Sequence, residues 1–175
     1  MHNHGVPDRD LLRWQFDLTW SLFEYHLERL APEDHLWEPV GSVWTIRDGA
    51  PDWAETEPEP VPVPTIAWVS WHVGWWWSVA IDHVLGRTPR HRAEVSWPGP
   101  DRAADWLRGL RDEWTGLLPT LDLSAPSTFP WRDRTVGHTV AWVNAELMKN
   151  VSEIGQLRLL RVAASANPDV GGHPG

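Results

Sequence analysis

The stretch Ala141-Trp142-Val143-Asn144-Ala145-Glu146-Leu147-Met148-Lys149-Asn150-Val151-Ser152-Glu153-Ile154-Gly155-Gln156 decides the fold class. Val136, Val140, Val143, Leu147, Val151 and Ile154 recur three and four apart, the period of an α-helix that buries one face. The pattern predicts a long helix from Thr135 to Ala164. At about 100° per residue, Glu146, Asn150 and Glu153 fall inside that apolar stripe and Lys149 falls at its edge. Two carboxylates and an amide in one buried row cost on the order of several kcal/mol unless something pairs them. The helix that fixes the fold therefore also marks a candidate site.

Three more helical segments lie upstream. Thr65 to Gly86 is apolar nearly all round, as expected of a helix surrounded by protein. Asp101 to Leu118, opened by Gly99-Pro100-Asp101, places Ala104, Leu107, Leu110, Trp114 and Leu117 on one face. Asp8 to Leu30 carries two apolar rows, Leu11, Leu18, Leu22, Tyr25 and Leu12, Phe16, Phe23, Leu27, Leu30, which read as one wide inner face. No segment reads as a strand. Four long amphipathic helices predict an all-α, up-and-down four-helix bundle, a single domain over residues 1–164 with a disordered tail at 165–175.

Between the first two helices, Ala31 to Pro64 is of another character. It ends in Glu57-Pro58-Glu59-Pro60-Val61-Pro62-Val63-Pro64, where alternating prolines remove amide donors and exclude helix. A connector of this length in a compact domain is expected to cover something. The reading extends Pro51 to Pro64 over one end of the bundle, with Trp37, Trp44 and Trp53 packed near the mouth of a pocket.

Composition narrows the chemistry. The chain has 175 residues, no cysteine and a net charge of −9, so disulfides, thiolate metal sites and a cysteine nucleophile are excluded. The acidic balance argues against nucleic acid and anionic membrane as partners, since both demand clustered cationic charge. Ile66 to Leu85 is apolar but contains His72, Gly74, Asp82 and His83, with tryptophans at its centre instead of its ends, which reads as a buried helix. With no secretory segment at the N-terminus, the expected location is cytoplasmic. Tryptophan is abundant, 15 residues in all, and Lys149 is the sole lysine.

The second helix offers partners for the polar row. His72, Trp76, Val79 and His83 share a face, and His26 points inward from the first helix. His72, flanked by Trp71, Trp75 and Trp76, has no solvated side available, so a cluster of His72 with Glu146, Asn150 and Glu153 would satisfy all of them. His26, Lys149 and Trp76 are secondary candidates. Blander readings stand beside these: His26 and His83 as hydrogen-bonded core residues, Lys149–Glu153 as a helix-surface ion pair, and the tryptophans as packing.

The chain resembles the DinB-like superfamily, four-helix bundles that include metal-dependent thiol transferases using mycothiol or bacillithiol. The resemblance rests on Leu12-Arg13-Trp14-Gln15-Phe16-Asp17, Leu36-Trp37-Glu38-Pro39, Thr65-Ile66-Ala67-Trp68 through Trp71-His72-Val73-Gly74, and the stretch 141–156, and so touches all but the third helix. It implies a divalent metal held by three histidines. One falls at His72; the other two, registered on Gly155-Gln156, fall at Lys149 and Glu153, neither of them histidine. Two readings follow. In one, a rearranged set of His72, Glu146 and Glu153 with Asn150 holds Zn, Ni, Fe or Mn, and the protein is a thiol-dependent S-transferase or hydrolase using a low-molecular-weight thiol. In the other, the Lys149 ammonium replaces the metal and neutralises Glu153. The protein is then a non-catalytic small-molecule binder, or a detoxification-associated protein, with a tryptophan-lined pocket. A small molecule is the partner in both, and a homodimer stays open.

Overall fold

The computed structural model describes residues 9–166. It contains four long helices, α1 (Arg9–Leu27), α2 (Ile66–Val84), α3 (Pro100–Leu117) and α4 (Val136–Ala166), and is all-α apart from short strand pairs in the connector. The predicted start at Asp8 lies outside the described residues. α4 runs on through Ser165 and Ala166, where the sequence suggested a tail; the rest of that tail is also outside them. α2 begins where the Thr65 hydroxyl accepts the Trp68 amide at 3.3 Å, satisfying one of the free donors of a first turn. It stops at Gly86, whose φ of 66° favours a residue without a Cβ. No described helix is long and apolar enough to cross a membrane.

Contacts between the helices fix their directions. Leu12 meets Asn144, and His26 meets Gly155 and Arg158, so α1 and α4 run parallel. Gly74 meets Trp106 and Arg87 pairs with Glu113, so α2 and α3 also run parallel. Glu24 of α1 pairs with Arg108, and Arg9 reaches the Leu118 carbonyl, which sets α1 against α3. The order is up, down, down, up. The up-and-down expectation assumed a reversal between α2 and α3. An extended chain covers about 3.3 Å per residue against 1.5 Å in a helix, so the segment 85–99 has the reach to return along α2. Its Val95 carbonyl accepts the Trp71 indole at 2.7 Å.

The core gathers Phe16, Trp20, Phe23, Trp77, Leu107, Trp114, Val143, Leu147 and Ile154 from all four helices. One of the two α1 rows behaves otherwise. Leu11, Leu18, Leu22 and Tyr25 are exposed, Leu11 at 60% and Leu18 at 53%, together with Trp14 at 62%. The apolar arc of α1 is wider than the arc its neighbours cover, and among the described residues no helix packs over Leu11, Trp14 and Leu18.

The connector holds the strands that the sequence did not disclose. β1 (Val43–Trp44) pairs in parallel with β4 (Val63–Pro64), and β2 (Ile46–Arg47) pairs antiparallel with β3 (Ala50–Pro51). Asp48 and Gly49 join β2 to β3 with φ values of 50° and 81°, the two positive angles of a type I′ hairpin turn. Asp52 clips this hairpin to the bundle. Its carboxylate accepts the Thr45 amide at 3.0 Å, and its carbonyl accepts the Trp68 indole at 2.8 Å. The connector is thus anchored along the first turns of α2.

Candidate functional site: a cavity between the connector, α2 and α4

A cavity of about 480 Å³ opens where the connector crosses α2 and α4. The connector forms one wall with Trp44, Trp53, Glu55, Glu57, Val61, Pro62 and Pro64; α2 gives Trp68 and His72, and α4 gives Lys149, Asn150 and Glu153. Four predicted residues, His72, Lys149, Asn150 and Glu153, therefore share one space. They do so because α2 and α4 run antiparallel, which sets the first half of α2 beside the middle of α4.

His72 lies flat on Trp68, ring centres 5.0 Å apart and planes 9° apart, with Trp75 edge-on at 5.9 Å. Its Nδ1 is buried without a hydrogen-bond partner. Burial first, then the Lys149 charge, push its pKa down to about 4, with Glu146 pulling the other way, so the ring is neutral at physiological pH. An unpartnered buried nitrogen costs about 1–3 kcal/mol.

On α4 the polar row is wired differently from the expectation. Lys149 pairs with Glu146, one turn back, and not with Glu153. Both pairings are open to a lysine on a helix, at i−3 and i+4. Glu153 is engaged instead by Asn150, whose amide nitrogen donates to it at 2.7 Å, while the Asn150 oxygen accepts the Trp76 indole at 3.1 Å. Asn150, 1% exposed, is the pivot of the row, tied to α2 on one side and to the cavity carboxylate on the other. Glu146 does not line the cavity; it acts there through Lys149. Trp76 is buried behind Asn150.

The other candidates separate from the cavity. His26 sits in the α1/α4 contact, where its Nδ1 accepts from Arg158 at 3.3 Å and its ring fills the space over Gly155. His83 bonds Thr128 at 2.9 Å and stacks on Phe129 at the opposite end of α2. Trp44 and Trp53 do line the cavity, as the connector reading required; Trp37 does not, and stands 5.6 Å under the Arg161 guanidinium near the end of α4. Sequence reading missed Trp68, Glu55 and Glu57. For Trp68 the signal was present, since it precedes His72 by one turn on the same face.

The donors do not suit the divalent metal that the family resemblance implies. Among the described residues no three His, Cys, Asp or Glu side chains converge on one point. Where a second imidazole would be needed stands an ammonium already paired with Glu146. An ammonium offers no lone pair to a metal until it loses its proton. The Asn150 oxygen, the remaining neutral donor, is taken by Trp76.

No curated protein and no solved structure matches the chain. A family model does: that of the DinB superfamily matches residues 15–154, from the second turn of α1 to the Glu153-Ile154 end of the polar row. That span includes every residue lining the cavity, so the chain belongs to the DinB superfamily.

Proposed function

We propose that this protein binds a small molecule in the tryptophan-lined cavity and does so without a metal. The Lys149–Glu146 pair carries the reading, because a fixed cation occupies a position from which a metal ligand would have to act. His72, a neutral imidazole on the lining, supplies a hydrogen-bonding group for the ligand, and Trp44, Trp53 and Trp68 supply the contact area. Metal analysis of the purified protein, followed by titration with Zn, Ni, Fe and Mn, tests it. The wild type is expected to hold far less than one equivalent, while a Lys149→His, Glu153→His double variant gains affinity for Zn or Ni. A wild type that retains one tightly bound metal through purification would overturn the reading.

One observation favours a second reading, thiol-dependent S-transfer or hydrolysis. His72 is a neutral imidazole facing a cavity, the form that can accept a hydrogen bond from a thiol or a water. Turnover of an electrophile with glutathione, mycothiol or bacillithiol, lost in His72→Phe, would establish it.

A further inference from the structure

We infer that the ligand of this cavity is an organic cation, an alkylated ammonium held by tryptophan faces and two carboxylates. The inference rests on the binding reading above and names its ligand class.

Charge makes the first argument. The lining carries Glu55, Glu57 and Glu153 against a single cation, Lys149. Lys149 is neutralised by Glu146 from outside the cavity, and Glu55 is met by Arg92 at 2.5 Å, also from outside. Glu57 and Glu153 are left with no cationic partner among the described residues; Glu153 accepts only the neutral Asn150 amide at 2.7 Å. Neutral His72 adds no positive charge of its own. A carboxylate-bearing ligand would therefore meet uncompensated negative charge, whereas a cation would complete the balance.

The walls make the second. Trp44 and Trp68 stand side by side, ring centres 5.9 Å apart and tilted by 31°, and Trp53 also belongs to the lining. Indole faces are electron-rich and attract cations, the more so where water is thinned out by neighbouring proline and valine. The protein already uses one of these rings that way. The Arg92 guanidinium lies 4.7 Å over the Trp53 ring centre while it pairs with Glu55, so a cation, an indole face and a carboxylate are joined at the rim. On the lining, Trp44 and Trp68 offer an indole wall and Glu153 a carboxylate, with the exposed Glu57 as a second carboxylate and the cation yet to be supplied. An inorganic cation would keep its water shell and gain little from indole, while methyl groups on nitrogen spread the charge over an apolar surface that fits such walls.

The test titrates the full-length protein near neutral pH, by calorimetry and thermal shift, with three probes. These are choline, its neutral isostere in which carbon replaces the ammonium nitrogen, and glutathione as an anionic thiol. Choline is expected to bind at least about tenfold more tightly than the isostere, a difference that only charge can produce. Glu153→Gln should weaken choline severalfold with a far smaller effect on the isostere, and Trp44→Leu should weaken choline by a larger factor than the isostere; Glu153→Gln keeps the side-chain volume should the tryptophan variant fold poorly. An isostere that binds as well as choline, or glutathione binding where choline does not, overturns the cationic ligand while leaving a metal-free binding cavity intact. Failure of all three probes to bind overturns the cationic ligand as well. Tight stoichiometric metal in the wild type is the separate result that removes the binding reading itself.

Discussion

α4 presents polar residues to two neighbours, and the two contacts treat them in opposite ways. Against α1, the inward nitrogens meet built partners: the Asn144 amide nitrogen donates to the Leu12 carbonyl at 2.9 Å and to Gln15 at 3.1 Å, leaving only its Oδ1 unpartnered, and His26 Nδ1 accepts from Arg158 over the bare backbone of Gly155. Against α2, Asn150 is satisfied, but His72 keeps a buried nitrogen without a partner and Glu153 points its charge into a cavity. The cause is what stands opposite. α1 lies along α4 closely enough for ring and backbone to touch. Beside α2 stands the connector, whose Trp44 and Trp53 line a space instead of filling it. Burial depresses the pKa of both histidines, so that property does not separate them. Partnering does. The His26 Nδ1 has a partner and its ring fills the α1/α4 contact; the His72 Nδ1 has none, and its ring stands on a cavity lining.

The sharpest way to break the contrast is at Asn150, the one residue that belongs to both kinds of contact. Asn150→Ala leaves the Trp76 indole donor buried without a partner, deprives Glu153 of its hydrogen bond, and opens a small void. Each unsatisfied buried group costs about 1–3 kcal/mol, so a loss of about 2–4 kcal/mol is expected by denaturant titration. A loss below about 1 kcal/mol would show that the polar row is not structurally coupled to α2.

A pH titration of stability compares the two histidines directly. The folded-state pKa of His72 is lowered to about 4 from an ordinary 6.5, so between these values the unfolded chain takes up a proton that the folded chain refuses. Stability is therefore full above about pH 6.5 and falls as pH drops toward 4, by up to about 3 kcal/mol. His72→Phe, which keeps the stack on Trp68 and removes the orphan nitrogen, should flatten that slope. It should leave stability at neutral pH within about 0.5 kcal/mol of wild type or slightly above it, and weaken ligand binding. His26→Phe should instead cost about 1–2 kcal/mol at neutral pH, because Arg158 loses its acceptor and Gly155 faces a poorer fit. Equal costs at the two positions would remove the distinction.

These residues also show what sequence could and could not supply. Helical period located all four helices to within a few residues, because amphipathic spacing follows from burial of one face and little else. The row Glu146, Asn150, Glu153 was legible as anomalous for the same reason: carboxylates inside an apolar stripe demand partners. Which partner each takes was not legible. Lys149 stands one turn from both glutamates, and only the direction in which its chain leaves the helix chooses Glu146. Helix directions were hidden as well, since spacing along one helix carries no information on its neighbour's polarity. The β2–β3 hairpin was readable in principle from Asp48-Gly49, a dipeptide suited to two positive φ angles. Its flanking strands are two residues each, too short for an alternation to register. The exposed α1 row was misread because periodicity reports how much of a helix is apolar, not how much of it is covered.

The smallest effect, and the cleanest separation of the two contacts, is expected at Gly155. A Cβ built there would stand 2.6 Å from His26 Nε2 and 2.8 Å from its Cε1, closer than carbon approaches either atom. The obstacle is a ring held by Arg158 and by T-shaped packing with Tyr25, so it cannot simply swing aside. Forcing it costs about 1–3 kcal/mol. Replacing glycine by alanine inside a helix returns up to about 1 kcal/mol of backbone entropy, which offsets part of that cost. The net expectation for Gly155→Ala is a loss of about 1 kcal/mol, read as a drop in melting temperature of a few degrees for a domain of this size. Ligand affinity should stay at the wild-type value, because the displaced ring lies across α4 from the cavity. A variant of normal stability would mean that α1 and α4 can slide apart at no cost. One that also lost ligand affinity would mean that the two faces of α4 move together, and the contrast between them would then be one of chemistry alone and not of mechanical independence.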